Sequence, residues 1–366
     1  MSNTKKTVAL DARYLNRPGV GIHTYLVALI SLLRSEDYKI TFIVETPPKN
    51  FSIRKSEGLA VLQAPNRFLW EQFTLLRYMR RHNFDIYIAP SNFGIPLLAN
   101  RKTKYVLVVH DYIPIRFPGV YLFKRPLYAI QYLTSLAISL HKADLVVTNS
   151  QFTATETKEL FRKDAINAYI PVKYTKYNVA MAKRAHARKT YGNYFIYNGG
   201  ADPRKNVASL ILGFHNFSKQ HPDFRLLIMG NNFDRYIRFA KALRANNIEF
   251  LGYVSEAEKK VLLAGATALL CVSKMEGYGL PLIEAYCAGT PVITTRNSAL
   301  SEIAGSAAIF LSDSTPEVLA TTLEGFVKLN HKQRQAFIKK GYRRLTELNS
   351  FGTEGVIVRQ IEKLVA

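Results

Sequence analysis

The chain has 366 residues, 48% of them hydrophobic, and carries 50 Lys and Arg against 27 Asp and Glu, a formal charge of +23. That length accommodates two ordinary domains, each with its own core, and the composition excludes an extended disordered chain. Only two cysteines occur, Cys271 and Cys287, both inside apolar segments, which argues against a disulfide framework and for a reducing, cytoplasmic setting.

No stretch approaches the roughly 18 uninterrupted apolar residues of a membrane span. The N-terminal MSNTKKTVALDARYL runs straight into a strand-like pattern, without the apolar core of a signal peptide. The positive charge favours an anionic partner: nucleic acid, an acidic membrane surface or a phosphorylated substrate. Solvated lysines on an ordinary basic protein are the plainer alternative. Basic residues are spread through both halves instead of forming a tail, which counts against nucleic acid.

In chain order, the N-terminal half alternates apolar runs with amphipathic ones. The strand-like runs are TVALDA, KITFIV, LAVLQA, DIYIAP, KYVLVVHD and DLVVTNS, and the helical runs include GIHTYLVALISLLRS and RFLWEQFTLLRYMRRHN. Continuous Val, Ile and Leu strands separated by helices predict a parallel sheet covered on both faces. The alternation stops at YIPVKYTKYNVAMAKRAHARKTYG, which holds many cations and no acid. It reads as a basic connector over 173–190 whose second part has the pattern of a short helix. Strands then resume with NYFIYNGG, FRLLIMG, IEFLGYV, ATALLCVS, TPVITT and AAIFLS, each followed by a helical run. The expectation is an α/β chain of two doubly wound parallel-sheet domains, 1–172 and 191–350, followed by a helix over 351–366.

In such sheets ligands sit at the carboxyl ends of strands, beside the N-termini of the following helices. The stretch KMEGYGLPLIEAYCAGTPV has that form, with Pro281 in the first turn of a helix that Gly289 ends. Glu276 falls in the loop and Glu284 about one turn into the helix. Gly277 and Gly279, on either side of Tyr278, let backbone amides approach a ligand, and the helix start at Leu280 favours phosphate. A carboxylate accepts hydrogen bonds from two neighbouring hydroxyls, so Glu276 and Glu284 would bracket a phosphate with a sugar on each side. A helix-dipole glutamate and a solvated loop glutamate are the alternative. In GGADPRKNVASLILGF, Arg204 and Lys205 precede a helix, where cations oppose the macrodipole unless an anion is present. A diphosphate would satisfy both; a solvated surface pair is the other reading.

The N-terminal half has weaker signals. Gly19 and Gly21 lie in the first strand-to-helix turn, suited either to a phosphate or to a purely structural turn, and the third glycine of the dinucleotide fingerprint is missing. His110 and Asp111 end one buried strand, and Asn149 and Ser150 another. Each can face a ligand or serve the fold, Ser150 as a helix cap.

Together these residues resemble glycosyltransferase family 4, retaining enzymes of the GT-B fold. The matching stretches are EGYGLPLIEAYCAGTPVI, GGADPRKNV, PGVGIHTY, VVHDYIPIRFP and VVTNSQFTATE, in the family's order along nearly the whole chain. The resemblance implies two Rossmann-like domains facing across a cleft, with the final helix returning to the N-terminal domain. It implies that Glu284 holds the ribose and Glu276 the transferred sugar. Arg204 and Lys205 would neutralise the diphosphate with amides around Gly279 and Leu280, and His110 would lie near the reacting sugar. Gly19 and Gly21 would lie near phosphate and acceptor, Gly230 and Tyr253 near the base, and Asp111, Asn149 and Ser150 on the acceptor side. One departure stands out: the arginine many members carry after the strand that opens the second domain is replaced here by Asn198-Gly199-Gly200.

The PRKN form is similar to that of bacterial mannosyltransferases of surface-polysaccharide and lipopolysaccharide assembly. The function so implied is a retaining transfer of a hexose or deoxyhexose from a nucleoside-diphosphate sugar, GDP-mannose first, to a glycan or lipid-linked saccharide. No Asp-x-Asp motif occurs, so the expectation is metal-independent transfer without a cofactor. The basic, aromatic segments LRYMRRHN and LFKRPLYAIQYLTSLAISLHK suggest peripheral contact with an anionic inner membrane face, against the alternative of ordinary amphipathic helices. Two rival functions remain, a nucleotide-sugar epimerase on a similar scaffold and a basic nucleic-acid-binding protein. No recognisable motif marks a specific nucleic-acid partner.

Overall fold

The computed structural model describes residues 5–17, 19, 21–36, 38–123, 125–171, 173–353 and 355–365. The chain forms two units, Met1–Lys173 with Ser350–Ala366, and Tyr174–Asn349.

In the first unit the strands are β1 (Thr7–Asp11), β2 (Lys39–Val44), β3 (Gly58–Val61), β4 (Ile86–Ala89), β5 (Lys104–Val109), β6 (Leu145–Thr148) and β7 (Ile166–Asn167). All pair in parallel, in the order β3-β2-β1-β4-β5-β6-β7, and Leu10 of β1 lies between Phe42 and Ile88. The β4 side chains and five of the six in β5 are buried. Helices cover both faces, which is why these strands read as continuous apolar runs. β7, two half-buried residues, is too short to leave a periodic trace.

The helical run after β3 contains a feature that spacing alone does not predict. It is α-helical over Arg67–Leu69 and Leu76–Arg81 but π-helical over Trp70–Leu75. Consecutive residues are about 100° apart around an α-helix and closer in the wider π turn. Trp70, Glu71 and Gln72 can therefore all point inward, and all three are buried.

The second unit contains β8 (Asn193–Asn198), β9 (Phe224–Met229), β10 (Ile248–Gly252), β11 (Leu269–Cys271), β12 (Val292–Thr295) and β13 (Ala308–Leu311), parallel in the order β10-β9-β8-β11-β12-β13. Its core includes Phe195, Phe214 and Phe217, clustered beneath the Pro316–Val327 helix. The basic stretch 173–190 is divided between the units. Lys173 ends the first; from Tyr174 the chain is part of the second, with Tyr177 N donating to Cys287 O at 2.7 Å and a helix over Met181–Tyr191 packing on Glu256–Gly265. The final helix, Val356–Val365, buries Ile357, Val358 and Ile361 and packs on β5 and β6 of the first unit.

Strand order reverses between β1 and β4 in one sheet and between β8 and β11 in the other. The carboxyl ends of those strands are where an open parallel sheet leaves room for a ligand.

Candidate active site

In the second unit the chain leaves β11 through buried Val272 and Ser273 and reaches Glu276, itself only 7% exposed. Its Oε2 accepts from Arg204 Nη1 at 2.7 Å, and its Oε1 accepts from Ser273 Oγ at 2.8 Å and from Lys205 Nζ. Ser298, held at φ +48°, accepts from Glu276 N through its Oγ at 2.9 Å. Burial alone would raise the Glu276 pKa; the Lys205 and Arg204 charges and hydrogen bonds outweigh it and bring it down to about 2. Glu276 is thus an ionised acceptor of hydrogen bonds and not a proton donor.

This corrects two readings. Glu276 is not a solvated loop glutamate, and the cations need no ligand to explain them, because Glu276 is their anion. Arg204 and Lys205 are only 17% and 13% exposed. They occupy a 3-10 turn, Pro203–Lys205, and left-handed Asn206 separates that turn from the helix Val207–Ser218. Arg204 Nη1 also donates to Met275 O at 2.8 Å, so its guanidinium ties the β8 loop to the β11 loop.

Glu284 sits in the helix Leu280–Ala288, which starts after Gly279 at φ +119°. Its Oε1 accepts from Lys259 Nζ at 2.7 Å and its Oε2 from Asn198 Nδ2 at 2.5 Å. Burial raises its pKa, with Lys259 and Asn198 opposing. Asn198, which stands at the departure from the family pattern, is therefore a direct partner of Glu284. Tyr278 is buried, its hydroxyl 3.3 Å from that of Tyr174. Gly230 follows β9 at φ +129°, and a Cβ there would overlap the carbonyl oxygen of Gly199, so the β8 and β9 ends touch backbone to backbone. Gly230 N donates to Gly252 O at 2.9 Å, and the next residue, Tyr253, is 79% exposed.

In the first unit, His110 directly follows β5 and is buried. Its Nε2 lies 2.7 Å from Pro90 O and its Nδ1 3.4 Å from Asn149 Nδ2; Asn92 Oδ1 accepts from His110 N at 2.7 Å. Burial lowers its pKa to about 4, against the opposing Pro90 hydrogen bond, leaving a neutral imidazole at pH 7. Asn149 Oδ1 is buried without a hydrogen-bond partner among the described residues. Ser150 caps the helix Gln151–Phe161 by accepting from Thr153 N at 3.2 Å, and Asp111 Oδ1 accepts from Ile113 N at 3.1 Å. Both therefore have local structural work. Gly19 lies at φ +87° with open space where a Cβ would be, and Gly21 begins the helix Gly21–Leu33.

Sequence reasoning missed Lys259, Ser298 and a buried ionic network in the first unit. Asp11, at the end of β1, accepts from Arg13 Nη2 at 2.8 Å; Glu71 in the π turn accepts from Arg13 Nη2 at 3.3 Å and from Arg67 Nε at 2.8 Å. Arg13 lies over Trp70 at 3.7 Å and Arg67 over Phe93 at 3.9 Å. Burial would lower the Arg13 pKa, but Asp11 and then Glu71 hold the guanidinium charged. The available signal was the charge of Asp11 at a buried strand end and of Glu71 within an apolar helical run.

Two family models match this chain. Residues 20–169 match the model described as Glycosyltransferase Family 4, and residues 180–344 that described as Glycosyl transferases group 1. The O-antigen chain mannosyltransferase B of Escherichia coli is 27% identical over 247 residues, 63% of this chain and 62% of that protein, so the match spans less than two thirds of it. The O-antigen chain mannosyltransferase RfbU of Salmonella typhimurium is 24% identical over 317 residues, 81% of this chain and 84% of that one. The structure of sucrose-phosphate synthase from Thermosynechococcus elongatus superposes with a TM-score of 0.76 at 16% identity, covering 98% of this chain and 100% of its own.

Two parallel-sheet units with polar arrays at their strand ends, and this structural likeness, define a protein of the GT-B fold. With a family 4 model on its first half and a group 1 model on its second, the chain belongs to the glycosyltransferases.

Proposed function

We propose that the enzyme transfers mannose, or a related deoxyhexose, from a guanosine diphosphate sugar to a glycan or lipid-linked saccharide, with retention of anomeric configuration. The observation that carries this reading is the convergence of Glu276, Arg204 and Lys205 where the β8 and β11 ends meet, with Glu284, Asn198 and Lys259 joined at the helix that follows. In this reading Glu284 accepts from the ribose hydroxyls, because each carboxylate oxygen still has a lone pair beyond its present partner. Arg204 and Lys205 meet the diphosphate, and Glu276 accepts from hydroxyls of the transferred sugar. The names of the relatives, mannosyltransferases of O-antigen chains, support the choice of sugar.

As the bond from the anomeric carbon to the β-phosphate oxygen breaks, negative charge grows on that phosphate. Arg204 and Lys205, already fixed by Glu276, stabilise it by preorganised electrostatics, and the reading gives this task to them instead of a metal ion. The acceptor oxygen bonds to the anomeric carbon on the face the phosphate leaves, and its proton passes to the leaving phosphate. Glu276, ionised and already paired with two cations, is a poor nucleophile for a covalent route. The basic surface would hold the enzyme at an anionic membrane carrying its acceptor.

The test offers GDP-mannose and UDP-glucose separately, with a mannose-terminated acceptor, and reads the new linkage by NMR. The expected product is an α-mannoside formed from GDP-mannose. A β-linked product, or a sugar adduct on Glu276 by mass spectrometry, would overturn the mechanism.

A further inference from the structure

We propose that Arg67, held in place by the buried carboxylate of Glu71, reads hydroxyl groups of the acceptor saccharide. The inference deepens the transferase reading and rests on it only in supposing that the ligand is a saccharide.

Position is the first argument. Arg13 follows β1 and Ser91 follows β4, the two strands that flank the order reversal in the first sheet. Ligands of open parallel sheets sit at that point. The π turn brings Glu71 to the same place, and single π turns inside helices are frequent at functional sites.

The second argument is cost. Glu71 is fully buried and Asp11 is 1% exposed, and burying charges carries a desolvation penalty of several kcal/mol per ion. Apolar side chains of equal volume would hold this region at least as firmly. The network is also incomplete, since Glu71 Oε2 is buried with no hydrogen-bond partner among the described residues. Such a group is a strong constraint on its neighbours and a weak contributor to stability.

The third is the state of Arg67. Its Nε is fixed by Glu71 and its flat face lies on Phe93, while among the described residues Nη1 and Nη2 have only long contacts, 3.4 Å to Tyr14 Oη and 3.3 Å to Ser91 Oγ. Glu45, 48% exposed, also pairs with Arg13 Nη1 at 3.5 Å; of the cations in the network Arg67 is the more exposed, at 28% against 6% for Arg13. A guanidinium so held offers two edge N–H groups in a rigid fork.

Charge then selects the ligand. Asp11, Glu45 and Glu71 outnumber Arg13 and Arg67, leaving no surplus positive charge in the network for a phosphate. Neutral hydroxyl oxygens suit such a fork, and the Tyr14 ring beside it can cover an apolar sugar face.

The experiment titrates a panel of neutral disaccharides, ending in mannose, galactose or rhamnose, into the full chain by saturation-transfer NMR and calorimetry, with methyl phosphate as the anionic probe and GDP as a control. At least one disaccharide should bind the wild type, and Arg67→Ala should weaken it tenfold or more. Arg67→Lys should not restore it, because an ammonium lacks the fork, and Glu71→Gln should weaken it while GDP affinity stays within twofold throughout. Equal disaccharide affinity in wild type and Arg67→Ala would overturn the proposal. So would full rescue by lysine, no binding by any member of the panel, or methyl phosphate binding in its place. If Glu71→Gln does not fold, the two Arg67 variants still decide. Failure of GDP to bind the wild type would count against the donor reading alone.

Discussion

At the scale of single residues, Glu276 does two things that can be separated. It is a ready acceptor for sugar hydroxyls, and it holds Arg204 and Lys205 by direct ion pairs. Glu276→Gln removes the charge that competes with a diphosphate for those cations. GDP, which has no sugar for Glu276 to touch, should then bind as tightly as before or tighter, while transfer falls by about 10²–10³-fold, the loss typical of one preorganised polar group. Calorimetry with GDP and a transfer assay read the two arms; weaker GDP binding would show that Glu276 orders the phosphate site instead of occupying it. His110 gives a second residue-scale prediction. Its folded pKa, about 4, lies below the value near 6.5 of an unfolded histidine, so the unfolded chain binds the extra proton between those values. Stability is complete above about pH 6.5 and is lost as pH falls towards 4, by up to about 3 kcal/mol. Urea unfolding at pH 7 and pH 4.5 should show this loss in the wild type, and a smaller one in His110→Gln, which keeps a donor for Pro90 O.

At the scale of elements, most of the strands were legible, because burial on both faces forces unbroken Val, Ile and Leu runs that no other element of that length produces. The helix after Gly279 was legible too, from a proline at its start and a glycine at its end. The π turn was not, since Trp70, Glu71 and Gln72 fit a helical run until the chain shows all three facing inward. Lys259 and Ser298 were invisible for a related reason. Each belongs to the site only because the helix that bears it packs beside the Leu280–Ala288 helix, and neither stands in a motif. Arg204 and Lys205 were seen, but their protein partner was not: a local argument about the helix dipole cannot find a carboxylate that lies about seventy positions further along. Glycines test how tightly these strand ends are built. Gly230→Ala sets a Cβ against the Gly199 carbonyl at a φ that L residues rarely adopt, so it should cost more than about 2 kcal/mol and weaken nucleotide binding. Gly325, exposed in the helix Pro316–Val327 with open space around it, is the control; alanine there should add about 0.5–1 kcal/mol. Thermal melts with and without GDP distinguish the two, and a neutral Gly230→Ala would mean that the strand ends can separate without loss.

At the scale of the whole molecule, the excess of +23 is carried by the surface, because buried acids are offset by cations beside them. Several of the 27 acids lie inside: Asp11, Glu71, Glu156 and Glu276 are buried, each beside an arginine. Exposed apolar side chains accompany this charge in one segment of the first unit, where Phe123 is 76%, Leu127 83% and Ile130 63% exposed around the start of the helix Pro126–Lys142. Among the described residues no helix is long and apolar enough to cross a membrane. Contact with a bilayer would therefore combine long-range attraction to anionic lipid with shallow burial of these side chains. The two contributions respond differently to salt, which screens the first and leaves the second. Vesicles with about a third anionic lipid should sediment the protein at low ionic strength, far more than neutral vesicles do, and release most of it at about 0.5 M salt. Replacing Phe123, Leu127 and Ile130 together by serine should remove the salt-resistant remainder and weaken binding at low salt without lowering the melting temperature. Binding that ignored both salt and the triple substitution would place the membrane contact elsewhere, and no binding at any salt would leave the surface charge to serve soluble anions alone.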